Sequence, residues 1–287
     1  MTVFYCDHHE IPLPPGHKFP MAKYRLLRER LEAAGGFDLR PAPPGAMEDI
    51  LRVHDEAYVR AFLDGSLDPP MIRRIGFPWS PGLVARTLAS VGSTVAAAEI
   101  ALREGCAGGL AGGTHHAFRD AGSGFCIFND VAVAIRALGL RRAAVVDLDV
   151  HQGDGTAAIF EDAPDVLTIS LHGRNNFPFR KQRSKIDIEF EDGTGDEEYL
   201  SRLEEILPRV VEFDPELVFF QSGVDALATD RLGKLSLTPD GMARRDAMTL
   251  ALPFPLVVTL GGGYSEPIEH TVAAHAATFL AAAQRGR

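Results

Sequence analysis

Three cysteines in 287 residues, Cys6, Cys106 and Cys126, are too few and too far apart for a disulfide framework. No Cys-x-x-Cys pair exists either, so no thiolate zinc site is expected. Positive charge is also short. Lys and Arg number 29 against 39 Asp and Glu, a net charge of −10 that argues against direct nucleic-acid binding and suits a cationic partner somewhat better. No apolar run is expected to reach bilayer length, so no membrane span is foreseen. The start, Met-Thr-Val-Phe-Tyr-Cys, lacks the basic region and long apolar stretch of a signal peptide, and the expected location is cytoplasmic. Internal repeats, low-complexity tracts and long linkers are missing too. What is present is a 46% hydrophobic composition, enough for a large core and incompatible with general disorder. The length fits one α/β domain over residues 1–287.

Apolar runs at Val3–Cys6, Gly108–Ala111, Val166–Leu171, Leu217–Gln221 and Leu256–Leu260 read as strands. Helical patterns fall at Met21–Ala34, Ala46–Leu63 (two short helices joined near His54-Asp55), Leu83–Arg103, Asp130–Leu138 with Asn129 as its cap, Glu197–Val211 and Pro239–Leu252. Short, nearly continuous apolar strands alternating with helices predict a mainly parallel central sheet covered on both faces, a three-layer α/β/α domain.

One further strand carries chemistry. Ala-Val-Val-Asp147-Leu-Asp149-Val-His151-Gln-Gly-Asp154-Gly sets acids and an imidazole on alternate positions, and alternation along a strand puts Asp147, Asp149 and His151 on one face. A lone Asp or His at a strand end is usually a helix cap or a turn residue. Four ionisable groups within eight residues after an apolar run are better explained as a site for a divalent ion of Zn²⁺ type. In a parallel sheet such sites lie beyond the carboxyl ends of the strands. There the sequence places Ser222-Gly-Val-Asp225, Gly261-Gly-Gly-Tyr264 and Gly112-Gly-Thr-His115-His116-Ala. Asp225 is the expected third metal ligand, although alone it would pass for a cap. Adjacent histidines off a helix suit proton transfer, and a glycine run lets the Tyr264 hydroxyl approach a substrate closely. The basic run of Arg174, Arg180, Lys181, Arg183 and Lys185 reads as a solvated loop, with a substrate-facing rim as the alternative.

In order and wording, the phrases Gly-Thr-His-His-Ala, Gly-Phe-Cys-Ile-Phe-Asn, Asp-Leu-Asp-Val-His-Gln-Gly-Asp-Gly, Ser-Gly-Val-Asp and Gly-Gly-Gly-Tyr resemble the zinc-dependent histone deacetylase family of the arginase/deacetylase fold. The likeness runs from about Asp7 to near the C-terminus. Asp-x-His-Gln, together with Asp230-Arg-Leu-Gly-Lys-Leu-Ser-Leu, is similar to the class IV branch and its bacterial relatives. The resemblance implies one Zn²⁺ on Asp149, His151 and Asp225, and His115 and His116 as the proton-handling pair, hydrogen-bonded to Asp147 and Asp154. It also implies Tyr264 as the carbonyl-polarising hydroxyl and a substrate tunnel at Gly124 and Phe125. A structural K⁺ or Na⁺ would lie at Asp147, Asp149, His151, Ser170 and Leu171. The implied substrate is an acyl-lysine protein or peptide, or an acylated small amine such as a polyamine.

Gln152 replaces a histidine that does not ligate zinc in that family. The second tunnel wall falls to Phe177 or Phe179, and His17-Lys18-Phe19-Pro20 is a candidate rim. A two-manganese ureohydrolase of the same fold would need acids where Gly153 and Leu227 stand. A zinc-retaining binding protein without catalysis is the remaining alternative.

Overall fold

The computed structural model describes residues 1–285; Gly286 and Arg287, the end of the expected 1–287 domain, lie outside the described residues. Eight strands form one sheet: β1 (Thr2–Tyr5), β2 (Asp38–Pro41), β3 (Cys106–Gly109), β4 (Ala143–Asp147), β5 (Val166–Gly173), β6 (Ile186–Phe190), β7 (Leu217–Gln221) and β8 (Leu256–Thr259). Every neighbouring pair is parallel, in the order β2-β1-β3-β8-β7-β4-β5-β6. The helices are α1 (Ala22–Ala34), α2 (Met47–Ile50), α3 (Glu56–Asp64), α4 (Pro69–Ile75), α5 (Pro81–Glu104), α6 (Asp130–Ala137), α7 (Asp154–Ile159), α8 (Asp196–Phe213), α9 (Pro239–Leu250) and α10 (Ile268–Ala282).

Strand parity divides the core in two. Val145, Phe219 and Val257 join one cluster with α5 and α6, while Val146, Phe220 and Val258 join the other with α1, α8, α9 and α10. Successive side chains point to opposite faces, so strands buried on both sides are apolar throughout, and each buried Val or Phe contributes about 1.5–3 kcal/mol. This is the expected three-layer α/β/α architecture.

Several expectations need correction. The strand bearing the acids ends at Asp147. Beyond it each carboxylate accepts a hydrogen bond from the backbone N–H two residues on: Asp149 N–H to Asp147 Oδ1 at 3.1 Å and His151 N–H to Asp149 Oδ1 at 3.0 Å. Local turn chemistry of Asp therefore aims Asp149 and His151, not β alternation. The strand expected at Gly108–Ala111 is observed at Cys106–Gly109, where close approach of Phe279 and Ser93 leaves room only for glycine at 108 and 109. β2, β6, α4, α7 and α10 had no counterpart in the sequence reading. The expected absence of a bilayer-length run also fails, because α5 is long and apolar enough to cross a membrane. Most of that helix is buried against β3 and α6, which accounts for its composition.

His54, at the joint expected between α2 and α3, ties two loops together. Its Nδ1–H donates to the Phe118 carbonyl at 2.9 Å and its Nε2 accepts from the Asn129 N–H at 2.9 Å. Burial pushes its pKa down to about 4, despite opposing bonds from the backbone of Phe118 and Arg119. The unfolded chain therefore takes up this proton first, and stability falls as pH drops from about 6.5 toward 4. Between pH 7.5 and 5 this histidine alone is expected to cost about 2 kcal/mol. In urea unfolding at the two pH values, His54→Gln should be less acid-sensitive than wild type; an unchanged difference would refute the assignment.

Candidate active site

The loops after β3, β4, β7 and β8 converge at the carboxyl edge of the sheet on a cavity of about 960 Å³. His115 and His116 enter it from the loop after β3. This loop is pinned by Asp130 at the start of α6, whose carboxylate accepts from the N–H groups of Gly113 (2.9 Å) and Thr114 (2.8 Å) and from the hydroxyls of Thr114 and Thr94. The Nδ1–H of His115 donates to Asp147 Oδ2 at 2.7 Å, and that of His116 to Asp154 Oδ1 at 2.6 Å. The two rings lie 4.1 Å apart. Both carboxylates thus stand where the resemblance implied, each fixing its imidazole with Nε2 free.

Their environments separate the pair. Burial alone would lower the His115 pKa, but the carboxylates of Asp147 and Asp149 outweigh it and lift it to about 9. For His116, burial and then the neighbouring His115 prevail over Asp154 and bring it down to about 4.

Asp149, His151 and Asp225 offer one ligand atom each, all within 4.8 Å of one another. His151 Nδ1 lies 3.0 Å from Asp149 Oδ1 and 3.1 Å from Asp225 Oδ2. The second oxygen of each carboxylate is held by backbone or cross-linked between loops: Gly262 N–H donates to Asp149 Oδ2 at 2.6 Å, and Val150 N–H to Asp225 Oδ1 at 2.9 Å. Burial and then the adjacent Asp149 push the Asp225 carboxyl up to about 7. Two buried carboxylates that repel one another beside an imidazole form a donor set that fits a zinc-type cation, which would relieve that repulsion.

Tyr264 lines the same cavity, with its ring 6.3 Å from that of Phe125. Its backbone N–H donates to Asp230 Oδ2 at 2.6 Å, while Asp230 Oδ1 accepts from Leu232 and Gly233. Burial keeps the phenol protonated, so it acts as a donor. Space around the glycine run is limited by the site itself: a Cβ at Gly262 would strike the Asp225 carboxylate.

Phe125, held at φ +67°, forms one wall of the cavity together with Phe19, whose ring is 5.0 Å away and which is the residue of the His17–Pro20 segment that lines it. Gly124 packs so closely on His116 that a side chain there would collide with the imidazole. The facing wall is Phe177, edge-on to His116 at 4.9 Å; Phe179 is 88% exposed and belongs to the mouth. For the monovalent cation, Asp147 at the end of β4 is the register partner of Ser170 within β5, with Leu171 next. Gln152 is buried and bonds Asp187 and the backbone of Gln182, as a packing residue would.

Asp130, Asp230 and two buried cations escaped the sequence reading. Arg245, fully buried on α9, donates to the carbonyls of Leu148 (3.2 Å) and Gly223 (2.7 Å), beside the ligand loops. Lys23, on α1, donates to Gly261 O at 3.2 Å. Arg245 is also ion-paired with its neighbour Asp246 at 2.7 Å, yet a Lys or Arg in an amphipathic helix carries no sequence signal of burial.

A cleft with a candidate three-ligand metal set, two carboxylate-held histidines and a phenol is the arrangement of a metal-assisted hydrolase. The histone deacetylase domain family matches residues 17–280. An uncharacterized protein of Picosynechococcus is 44% identical, covering 98% of this chain and 97% of its own. A histone deacetylase-like amidohydrolase of Pseudomonas aeruginosa is 33% identical, over 89% and 74% respectively. The crystal structure of an HDAC homolog complexed with SAHA superposes with a TM-score of 0.85 at 26% identity, covering 99% of this chain and 84% of that one. The chain belongs to the histone deacetylase family.

Proposed function

We propose that this protein is a zinc-dependent amidohydrolase that removes acetyl or longer acyl groups from lysine side chains. The observation that supports it best is the meeting, in one cavity, of the Asp149–His151–Asp225 set with the His115–His116 pair and Tyr264. When bound, the ion supplies a Lewis acid for the amide carbonyl and renders water nucleophilic near neutral pH. The chain does the rest. Phe125 and Phe177 confine the acyl-lysine stem and exclude water. His116, neutral in its buried setting, has an Nε2 able to accept the proton of the attacking water. That proton must end on the leaving amine, delivered by His116 or by its protonated neighbour His115. Tyr264 donates to the carbonyl oxygen as negative charge develops there. A K⁺ or Na⁺ at Asp147, Asp149, His151, Ser170 and Leu171 belongs to the same proposal, as does cytoplasmic residence, supported by three buried free thiols.

Tyr264→Phe tests enzyme against binder. The hydroxyl makes its main contribution to the transition state, so its removal should slow turnover about 10²–10³-fold and leave ground-state binding nearly intact. Kinetics beside a peptide-binding titration decide it. Equal turnover in variant and wild type removes Tyr264 from catalysis; a wild type inert on every acyl-lysine and acyl-polyamine favours the binding protein.

A further inference from the structure

The cavity changes sign between floor and mouth. Its lining carboxylates, Asp149 and Asp154, are both buried at the floor, one facing His151 and the other bonded to His116. At the mouth stand Arg73 and Arg74 from the end of α4, Arg180 from the loop after β5, and Lys234 from the loop after β7, all exposed. Among the described residues Arg73, Arg74 and Arg180 have no ion-pair partner, and Lys234 has only Asp192 at 3.6 Å. Neighbouring cations are committed elsewhere: Arg174 to Glu189 and Glu191, Lys181 to the carbonyls of Asn176 and Gly173, and Lys185 to that of Glu161. A chain of net charge −10 has thus gathered cations from three separate segments around one opening, and those of two segments have no ion-pair partner among the described residues.

We propose that this mouth selects acyl-lysines lying in Asp- and Glu-rich peptide segments and disfavours polyamines and lysine-rich segments. The inference rests on the lysine deacylase reading above. Guanidinium groups pair carboxylates in a planar, two-point geometry, and a basic rim steers acidic segments inward while repelling polycations. Each exposed pair is weak, so the effect comes from several together and is screened by salt.

The zinc-loaded full chain is assayed on one acyl-lysine peptide with flanks of Glu, Gln or Lys, and on acetylated spermidine. Three or four weak pairs should favour Glu over Lys flanks about tenfold in kcat/KM at low salt, chiefly through KM, with the ratio shrinking at high salt. Charge reversal in Arg180→Glu, and in Arg73→Glu/Arg74→Glu/Arg180→Glu, should reduce and then invert the Glu-to-Lys ratio. That ratio is taken within each protein, so a general loss of activity does not mimic it. Turnover of the Gln peptide with no flank preference, or a preference unmoved by reversal, overturns the inference and leaves the deacylase reading standing. Turnover of acetylated spermidine with none of the three peptides hydrolysed overturns both.

Discussion

His151→Ala is expected to strip the metal from the protein and abolish amide hydrolysis together. His151 is the one neutral donor in the three-ligand set, and it stands between the carboxylates of Asp149 and Asp225. Without it two buried acids face each other, and one of them is already pushed up to about 7. Loss of a residue that merely supports a ligand lowers metal affinity about 10–100-fold, so loss of a ligand should exceed that range. Elemental analysis should find one zinc-type ion per wild-type chain and almost none in the variant. Two stoichiometric ions in the wild type, or an unchanged metal content in His151→Ala, would reject the mononuclear site.

The second large effect separates proton handling from metal binding. His116→Ala removes an imidazole held by Asp154, its ring centre 4.1 Å from that of His115, with no place in the metal set. General acid–base catalysis is worth about 10²–10⁴-fold, and amide cleavage needs it because the amine must leave protonated. Turnover should fall by that factor while metal content stays near one per chain. A variant that keeps near-native turnover would reassign the proton transfers to His115.

The sheet strands with residues buried on both faces were legible because apolar continuity is unambiguous over four or five residues such as Leu217-Val-Phe-Phe-Gln221. The edge strands were not. β6, Ile186-Asp-Ile-Glu-Phe190, alternates because it is incompletely covered, and β2, Asp38-Leu-Arg-Pro41, is short and mostly exposed. Asp149, His151, His115, His116 and Tyr264 line the cavity, and Asp225 meets Asp149 and His151 from beneath it, because each follows a strand end, a position readable from order alone. The residues that aim them were hidden. Asp130 and Asp230 act through backbone N–H groups, and such bonds depend on loop paths that no local pattern encodes. Net charge carries no information on local sign either: the chain total is acidic, whereas the exposed charges lining the opening are basic.

The strand order β3-β8-β7-β4 draws a line through the cleft. On one side the loops after β7 and β4 carry Asp225, Asp149 and His151; on the other the loops after β8 and β3 carry Tyr264, His115 and His116. On the proposed reading the groups that would hold the ion and those that would move the protons stand on opposite sides of this line, tied across it by the bonds of His115 to Asp147, His116 to Asp154 and Gly262 to Asp149. If the proposed function holds, a descendant that drifted at Tyr264 or His116 would keep the metal set and the walls of the cavity, and would turn from an eraser of an acyl mark into a reader of it. One substitution on the β8 or β3 side is all that such a change of trade requires.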